Sequence, residues 1–344
     1  MAPSGFSFKN DYSEGAHPVV LEAICRDSRI QEVGYGEDRP SKRAAESILN
    51  ACGIGRGEVH FVAGGTLANL VVAAAMLKPY ESIIAAESGH ICLHEAGAIE
   101  ATGHKVHYVP HRDGKITDAQ VRRVVSTHND EHMVCPRMVY ISQSTELGTI
   151  YSRAEIEALA AVCRECNLLL YIDGARLSAA LVSEQNDVTL EQLANLADAF
   201  YFGGTKNGAL FGEAIVIREP HPHLEFRRHL KQRGALLAKG RVVGAQFEAL
   251  MTNDLYLTLA RHAHSRALQL AAGIQQAGYH FAYKPTTNQI FPIFPKAAVT
   301  KLLTKFGFYT WAPLENDQMV IRLVTSWATP IEAVEAFVAE IEEL

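Results

Sequence analysis

The stretch "YFGGTKNGALFG" at residues 201–212 puts Lys206 in a glycine-rich turn directly after an apolar, aromatic run. A lysine on a solvated helix has polar neighbours, whereas one lined by backbone can be desolvated. Desolvation favours the neutral, nucleophilic amine. Upstream, "LLLYIDGAR" ends a second apolar run on Asp173, just before a glycine. A third stretch, "FVAGGTLANLVVAAAM", sets Gly64, Gly65 and Thr66 at the start of a helical pattern. The free N–H groups of a helix start, helped by a threonine hydroxyl, can hold a phosphate.

An amine, a carboxylate and a phosphate cradle match the needs of pyridoxal 5'-phosphate. The amine forms a Schiff base, the carboxylate keeps the pyridine nitrogen protonated, and the helix start anchors the phosphate. Other nucleotide signatures fail. There is no GxxxxGK[ST], and "AGGTLAN" does not fit GxGxxG. Each feature alone is also what an ordinary turn or cap would give, so the combination carries the inference.

The elements that would position these groups alternate. Strand-like runs at 82–86, 105–110, 138–142, 168–173, 199–203 and 213–218 are separated by helical patterns. Several runs are continuously apolar, as expected of strands covered on both faces. Ser152 with Glu155, and Thr189 with Gln192, form capping boxes that open helices. Such alternation predicts an α/β fold with a mostly parallel sheet flanked by helices. Ligands in such a sheet lie at the carboxyl ends of strands, where both Asp173 and Lys206 fall, one helix and one strand apart.

After residue 218 the pattern changes. A basic helical segment, "HLEFRRHLKQRGALLAKGR" (223–241), leads into a long helical region around 243–277. Then follow "NQIFPIF", a helix "KAAVTKLLTKFG", the strand "MVIRLVTSW" and a final helix opened by the capping box Thr329-Pro330-Ile331-Glu332. The chain is therefore expected to divide into a large domain over 1–245, with the N-terminal segment, and a small C-terminal α/β domain over 246–344.

Composition narrows the partners. Thirty-two basic against 38 acidic residues give a net charge of −6, which is no footprint for nucleic acid or anionic membrane. Small molecules are the expected partners. The start "MAPSGFSFKNDYSEG" lacks a basic-then-apolar leader pattern and no apolar run could span a bilayer, so a cytoplasmic protein is expected. Six cysteines in a chain of this length fit reduced thiols. Cys163 and Cys166 form a lone CxxC in a helical pattern, read as core packing. His128 and His132 in "HNDEH" lack an evident third ligand and are read as a solvated loop or helix end, so no metal is expected.

Taken together, the motifs "NDYSEGAHP" (10–18), "VGYGED" (33–38), "GGTLANL" (64–70), "SGHICLHEAGAIE" (88–100), "YIDGARL" (171–177), "GGTKNGALFG" (203–212) and "IRLVTSW" (321–327) resemble the low-specificity threonine aldolase family. That family lies within the fold-type-I pyridoxal phosphate enzymes and is also grouped with β-eliminating lyases. The resemblance covers nearly the whole chain. It implies Lys206 as the Schiff-base lysine, Asp173 as the pyridinium partner and Gly64, Gly65 and Thr66 as the phosphate cradle. It further implies that His90 stacks on the pyridine ring and that Arg176 and Arg322 clamp the substrate carboxylate, with Arg176 also near the cofactor. Asn10 stands in the substrate-binding N-terminal motif. Tyr35 and Asp38 belong to a segment that reaches a neighbouring subunit's site, and Lys231 and Arg241 to a region that supplies basic residues to the phosphate. A homodimer or homotetramer with shared active sites follows.

Two departures from the family stand out. Asn10 replaces a serine before Asp11, and Ser144-Thr145-Glu146-Leu147 replaces the common Thr-His-Asn. The histidine lost there would contact the substrate hydroxyl, so Glu146 is the candidate to take over its position. The implied activity is retro-aldol cleavage of β-hydroxy-α-amino acids, such as threonine, allo-threonine or phenylserine, to glycine and an aldehyde. A β-eliminating lyase or an aminotransferase on the same fold is the alternative.

Overall fold

The structure is a computed structural model describing residues 5–26, 28–219 and 224–344. His223, at the head of the basic segment, lies outside the described residues. Seven strands form the main sheet: β1 (Glu58–Val62), β2 (Glu81–Ala86), β3 (Val106–Val109), β4 (Cys135–Ser142), β5 (Leu169–Asp173), β6 (Ala199–Gly203) and β7 (Glu213–Ile217). Their order is β1-β7-β6-β5-β4-β2-β3. The run from β6 through β3 is parallel, and β7 enters antiparallel to both its neighbours. The mostly parallel sheet is thus as the alternation predicts. The sequence reading missed β1, whose burial alternates.

Helices cover both faces, and each face has its own core. One core gathers Ile84, Val139, Ile141, Ile172 and Phe200 beneath Ile48, Ile156 and Phe247. The other sets Ile83, Tyr140, Tyr171 and Tyr201 against Val71 and Val72 of the helix Gly65–Met76. Alternate residues of one strand therefore feed opposite cores, which is why these strands read as continuously apolar. The capping boxes at Ser152 and Thr189 are present, and Thr117 with Gln120 adds a third. Cys163 is buried in the first core.

A second sheet holds β8 (His280–Tyr283), β9 (Gln289–Pro295), β10 (Tyr309–Pro313) and β11 (Gln318–Val324), in the antiparallel order β10-β11-β9-β8. Its core includes Phe294, Leu323 and Phe337, and Phe8 from the N-terminal segment packs into it. The edge strands β8 and β10 escaped the sequence reading because they are short and half-exposed.

Two expectations need correction. The helical region around 243–277 is two helices, Arg241–Met251 and Leu255–Gln276. They part where Asn253 and Asp254 take left-handed conformations, with φ of 52° and 57°. The Thr329 capping box is absent as well. The last helix, Ile331–Glu342, follows Pro330 without a side-chain cap, and Thr329 Oγ1 instead accepts from Ser326 N at 2.7 Å.

Candidate active site

The carboxyl ends of β4, β5 and β6 open onto a cavity of about 640 Å³. Its wall includes Gly64, Gly65, Thr66, His90, Glu146, Asp173, Arg176, Lys206 and Arg322. Nine residues singled out in the sequence, from six separate stretches, therefore share one surface. A second cavity of similar volume is walled mainly by side chains such as Leu181, Val188, Leu250 and Leu257, and it contains none of these nine.

Asp173 ends β5 and is buried. Its Oδ1 accepts from Tyr201 OH at 2.5 Å and from Ala175 N at 3.0 Å. Its Oδ2 accepts from Tyr140 OH at 2.7 Å and Asn69 Nδ2 at 3.0 Å. Burial alone would raise its pKa, yet His90 and these donors hold it below the usual carboxylate range. Burial, and then the Asp173 charge, push the Tyr140 and Tyr201 phenols well up, so both stay neutral donors. Asp173 is a fixed anion.

The turn bearing Lys206 is braced on all sides. Gly204 N and Thr205 N both bond Gly212 O, and Asn207 Nδ2 donates to Tyr256 O at 2.7 Å. Gly212, at φ 123°, closes the loop in a conformation that disfavours other residues. The neighbouring turn of β5 packs so tightly that a Cβ on Gly174 would lie 1.7 Å from Tyr201 O. Glycine there lets the Asp173 and Lys206 strand ends meet. Burial, then the Arg176 charge, lower the Lys206 pKa toward the neutral amine.

Glu213 opens β7 beneath this turn, accepting from Gly204 N and Thr205 Oγ1, each at 2.8 Å. Burial raises its pKa. The sequence reading passed over it. A carboxylate heading an otherwise apolar strand, straight after a glycine turn, was the available signal.

His90 opens a short helix, His90–Leu93, after β2. Its N donates to Glu146 Oε1 at 3.0 Å, and its Nδ1 lies 2.7 Å from Glu95 Oε1. Glu146 Oε1 also accepts from Ser142 Oγ at 2.6 Å. Burial raises the Glu146 pKa, an effect that the Ser142 hydrogen bond opposes. Glu146 thus lines the pocket, as its position after β4 suggested.

Arg176 is bidentate to buried Asp11, Nε to Oδ2 at 2.7 Å and Nη2 to Oδ1 at 3.0 Å. Arg322 lies between Tyr309 and Trp311, its guanidinium carbon 5.3 Å from each ring centre. One Nη of Arg322 bonds Lys9 O at 3.2 Å, and its Nε is buried without a partner. Trp311 and Tyr309 are further wall residues that the sequence reading missed.

Five other sequence candidates, Tyr35 among them, do not line this cavity within one chain. Asn10 Oδ1 caps its own turn, accepting from Tyr12 N and Ser13 Oγ. Lys231 Nζ stands 4.8 Å over the Tyr35 ring, and Arg241 Nη1 donates to Ile30 O at 2.8 Å. Asp38 is buried and caps the helix Arg39–Ala51 through Ser41 N.

The donor set fits the cofactor expected from the sequence. The helix Gly65–Met76 begins after Gly64 with no side-chain cap, and a Cβ on Gly64 would meet nothing within 4 Å. Uncapped N–H groups thus face open space, as a phosphate requires. A fixed carboxylate and a lysine shifted toward its neutral form stand in the same wall.

The chain matches the beta-eliminating lyase family model over residues 22–296. It is 32% identical over 343 residues to a low specificity L-threonine aldolase of Pseudomonas aeruginosa, covering 97% of this chain and 96% of that relative. Among solved structures, a threonine aldolase of Leishmania major superposes with a TM-score of 0.96 at 43% identity, covering 98% of this chain and 99% of that one. An aspartate aminotransferase of Thermus thermophilus matches with a TM-score of 0.75 at 16% identity, covering 99% and 92%, a likeness of fold alone.

Proposed function

Since the chain belongs to the beta-eliminating lyase family, we propose that it is a pyridoxal phosphate-dependent aldolase. It cleaves β-hydroxy-α-amino acids of the L-threonine and phenylserine type to glycine and an aldehyde. The observation that carries this is the joint presence of Asp173, Lys206 and the uncapped helix start at Gly64–Thr66 in one cavity with Arg322 and Glu146. The names of the relatives agree with it.

Lys206 would hold the cofactor through its amine, Gly64, Gly65 and Thr66 would receive its phosphate, His90 would cover its ring, and Asp173 would take the ring N–H. When bound, the cofactor supplies an electron sink for the pair released on breaking the Cα–Cβ bond. Tyr140, Tyr201 and Ala175 N–H keep Asp173 anionic, which would hold a proton on the ring nitrogen. Arg322, ringed by Tyr309 and Trp311, binds the substrate carboxylate and so sets which Cα bond is aligned for cleavage. Arg176 gives two of its nitrogens to Asp11 and supports the same carboxylate with what remains. Glu146 positions the β-hydroxyl, and His90, or a water beside it, removes the hydroxyl proton.

Tyr35, Lys231 and Arg241 are assigned to a neighbouring subunit's site in a homodimer or homotetramer. Exposed Ile30, Val33 and Tyr35 beside these cations support an interface there. The chain is further read as a large domain over 1–245 and a small one over 246–344, with Phe8 lent to the small core. Among the described residues no helix is long and apolar enough to cross a membrane, and we place the protein in the cytoplasm. Incubation of the holoenzyme with L-threonine tests the activity. Glycine and acetaldehyde in equal amounts support it, and ammonia with a keto acid refutes it.

A further inference from the structure

Glu95 is a buried acid beside the cavity that the mechanism above does not use. Its side chain is fully buried. Oε1 lies 2.7 Å from His90 Nδ1 and 2.7 Å from Asn69 Nδ2, while Oε2 is buried with no partner. Asn69 is itself fixed, since its Oδ1 accepts from Tyr171 OH at 2.9 Å and its Nδ2 also donates to Asp173. One amide group therefore bridges the acid beneath His90 and the acid that ends β5.

This arrangement settles which nitrogen of His90 carries its proton. An ionised carboxylate can only accept, so with Glu95 as the anion the Asn69 amide supplies the hydrogen in one contact and His90 Nδ1 supplies it in the other. A neutral imidazole with its proton on Nδ1 has a bare lone pair on Nε2. Among the described residues Nε2 has no hydrogen-bond partner, and His90 lines the cavity.

We propose that Glu95 is a positioning residue that keeps the His90 proton on Nδ1 and so makes Nε2 the proton-accepting atom of the site. It rests on the aldolase reading. The hydroxyl proton of the substrate passes to Nε2 as the Cα–Cβ bond breaks and the carbonyl forms. His90 is then protonated on both nitrogens, with its charge set against Glu95. Loss of that proton restores the starting state. Asn69 ties the position of Glu95 to that of Asp173, so ring acceptor and proton acceptor are held in one hydrogen-bonded frame.

The test is a tautomer measurement on holoenzyme labelled with [15N]histidine, His90 being identified among the 15 histidines by its loss in His90→Phe. Wild type should show a proton on Nδ1 and a bare Nε2. Glu95→Leu should move the proton to Nε2 and lower kcat about a hundredfold, since general-base catalysis contributes about 10²–10⁴-fold, with KM little changed. Glu95→Gln keeps an acceptor oxygen and should retain the Nδ1 tautomer and most of kcat. In the His90→Phe background, Glu95→Leu should have no further effect on kcat. An Nε2–H tautomer in wild type overturns the proposal, even if the leucine variant fails to fold. So does an added kcat loss in the double variant. Failure to make glycine from threonine would sink the aldolase reading, while the tautomer still decides the role of Glu95.

Discussion

Arg176 and Asp11 lie 165 positions apart in the chain and meet through two parallel hydrogen bonds of 2.7 and 3.0 Å. Asn288 Nδ2 adds a third donor to Asp11 at 2.9 Å, so the N-terminal segment, the β5 turn and the second sheet join at one buried carboxylate. Burial would raise the Asp11 pKa, but Arg176, Lys206 and Asn288 hold it down. The two arginines of the cavity therefore differ, because Arg176 is largely committed to the fold and Arg322 is not.

Arg322→Lys should raise KM for amino acid substrates about tenfold or more while leaving cofactor binding intact. A charge-assisted contact is worth about 1.5–3 kcal/mol, and a lysine cannot keep the planar geometry. Arg176→Ala should instead cost stability, because removing one partner of a buried pair costs about 3–5 kcal/mol. Steady-state kinetics with thermal denaturation of both variants separates the two roles.

Lys206→Ala should still bind the cofactor but lose the link that borohydride makes permanent. Reduction of the wild-type holoenzyme followed by peptide mapping should find the label on Lys206. A label on another lysine would remove Lys206 from the mechanism.

Glu146→Gln should lower kcat on threonine and phenylserine with cofactor absorbance unchanged, because the carboxylate acts on the substrate hydroxyl alone. Unaltered kinetics on both substrates would place Glu146 outside the chemistry.

Glu213 should make the cofactor-free protein less stable as pH rises. Burial raises its folded pKa above the unfolded value of 4.5, so the folded state keeps a proton that the unfolded state loses. The stabilisation is complete below pH 4.5 and disappears as pH climbs through the raised folded value. Lys206, lowered from 10.5, acts oppositely in the more alkaline range, where its folded form is the one short of a proton. Glu213→Gln should flatten the decline in melting temperature from mildly acidic to neutral pH. An unchanged slope would show that Glu213 does not hold the proton.

Much of the site was legible because its residues end strongly apolar strands at glycine turns. Asp173, Lys206 and the Gly64–Thr66 helix start stand out as polar interruptions of buried runs. Glu95, Asn69 and Tyr201 did not, because nothing local marks them. Glu95 and Asn69 sit 26 positions apart, Asn69 on the helix Gly65–Met76 and Glu95 in the bend after His90–Leu93, and meet only in the folded chain. Tyr201 reads as one more aromatic strand residue until the register brings its hydroxyl to Asp173. The weakly amphipathic edge strands β8 and β10 were missed for a related reason, since half-exposed strands of four and five residues leave little pattern.

The most direct test of the aldolase reading is a complete product balance from phenylserine with the purified holoenzyme. Glycine and benzaldehyde should appear in a one-to-one ratio that accounts for all substrate consumed. Ammonia with phenylpyruvate as the main products would contradict it and assign the cavity to elimination instead.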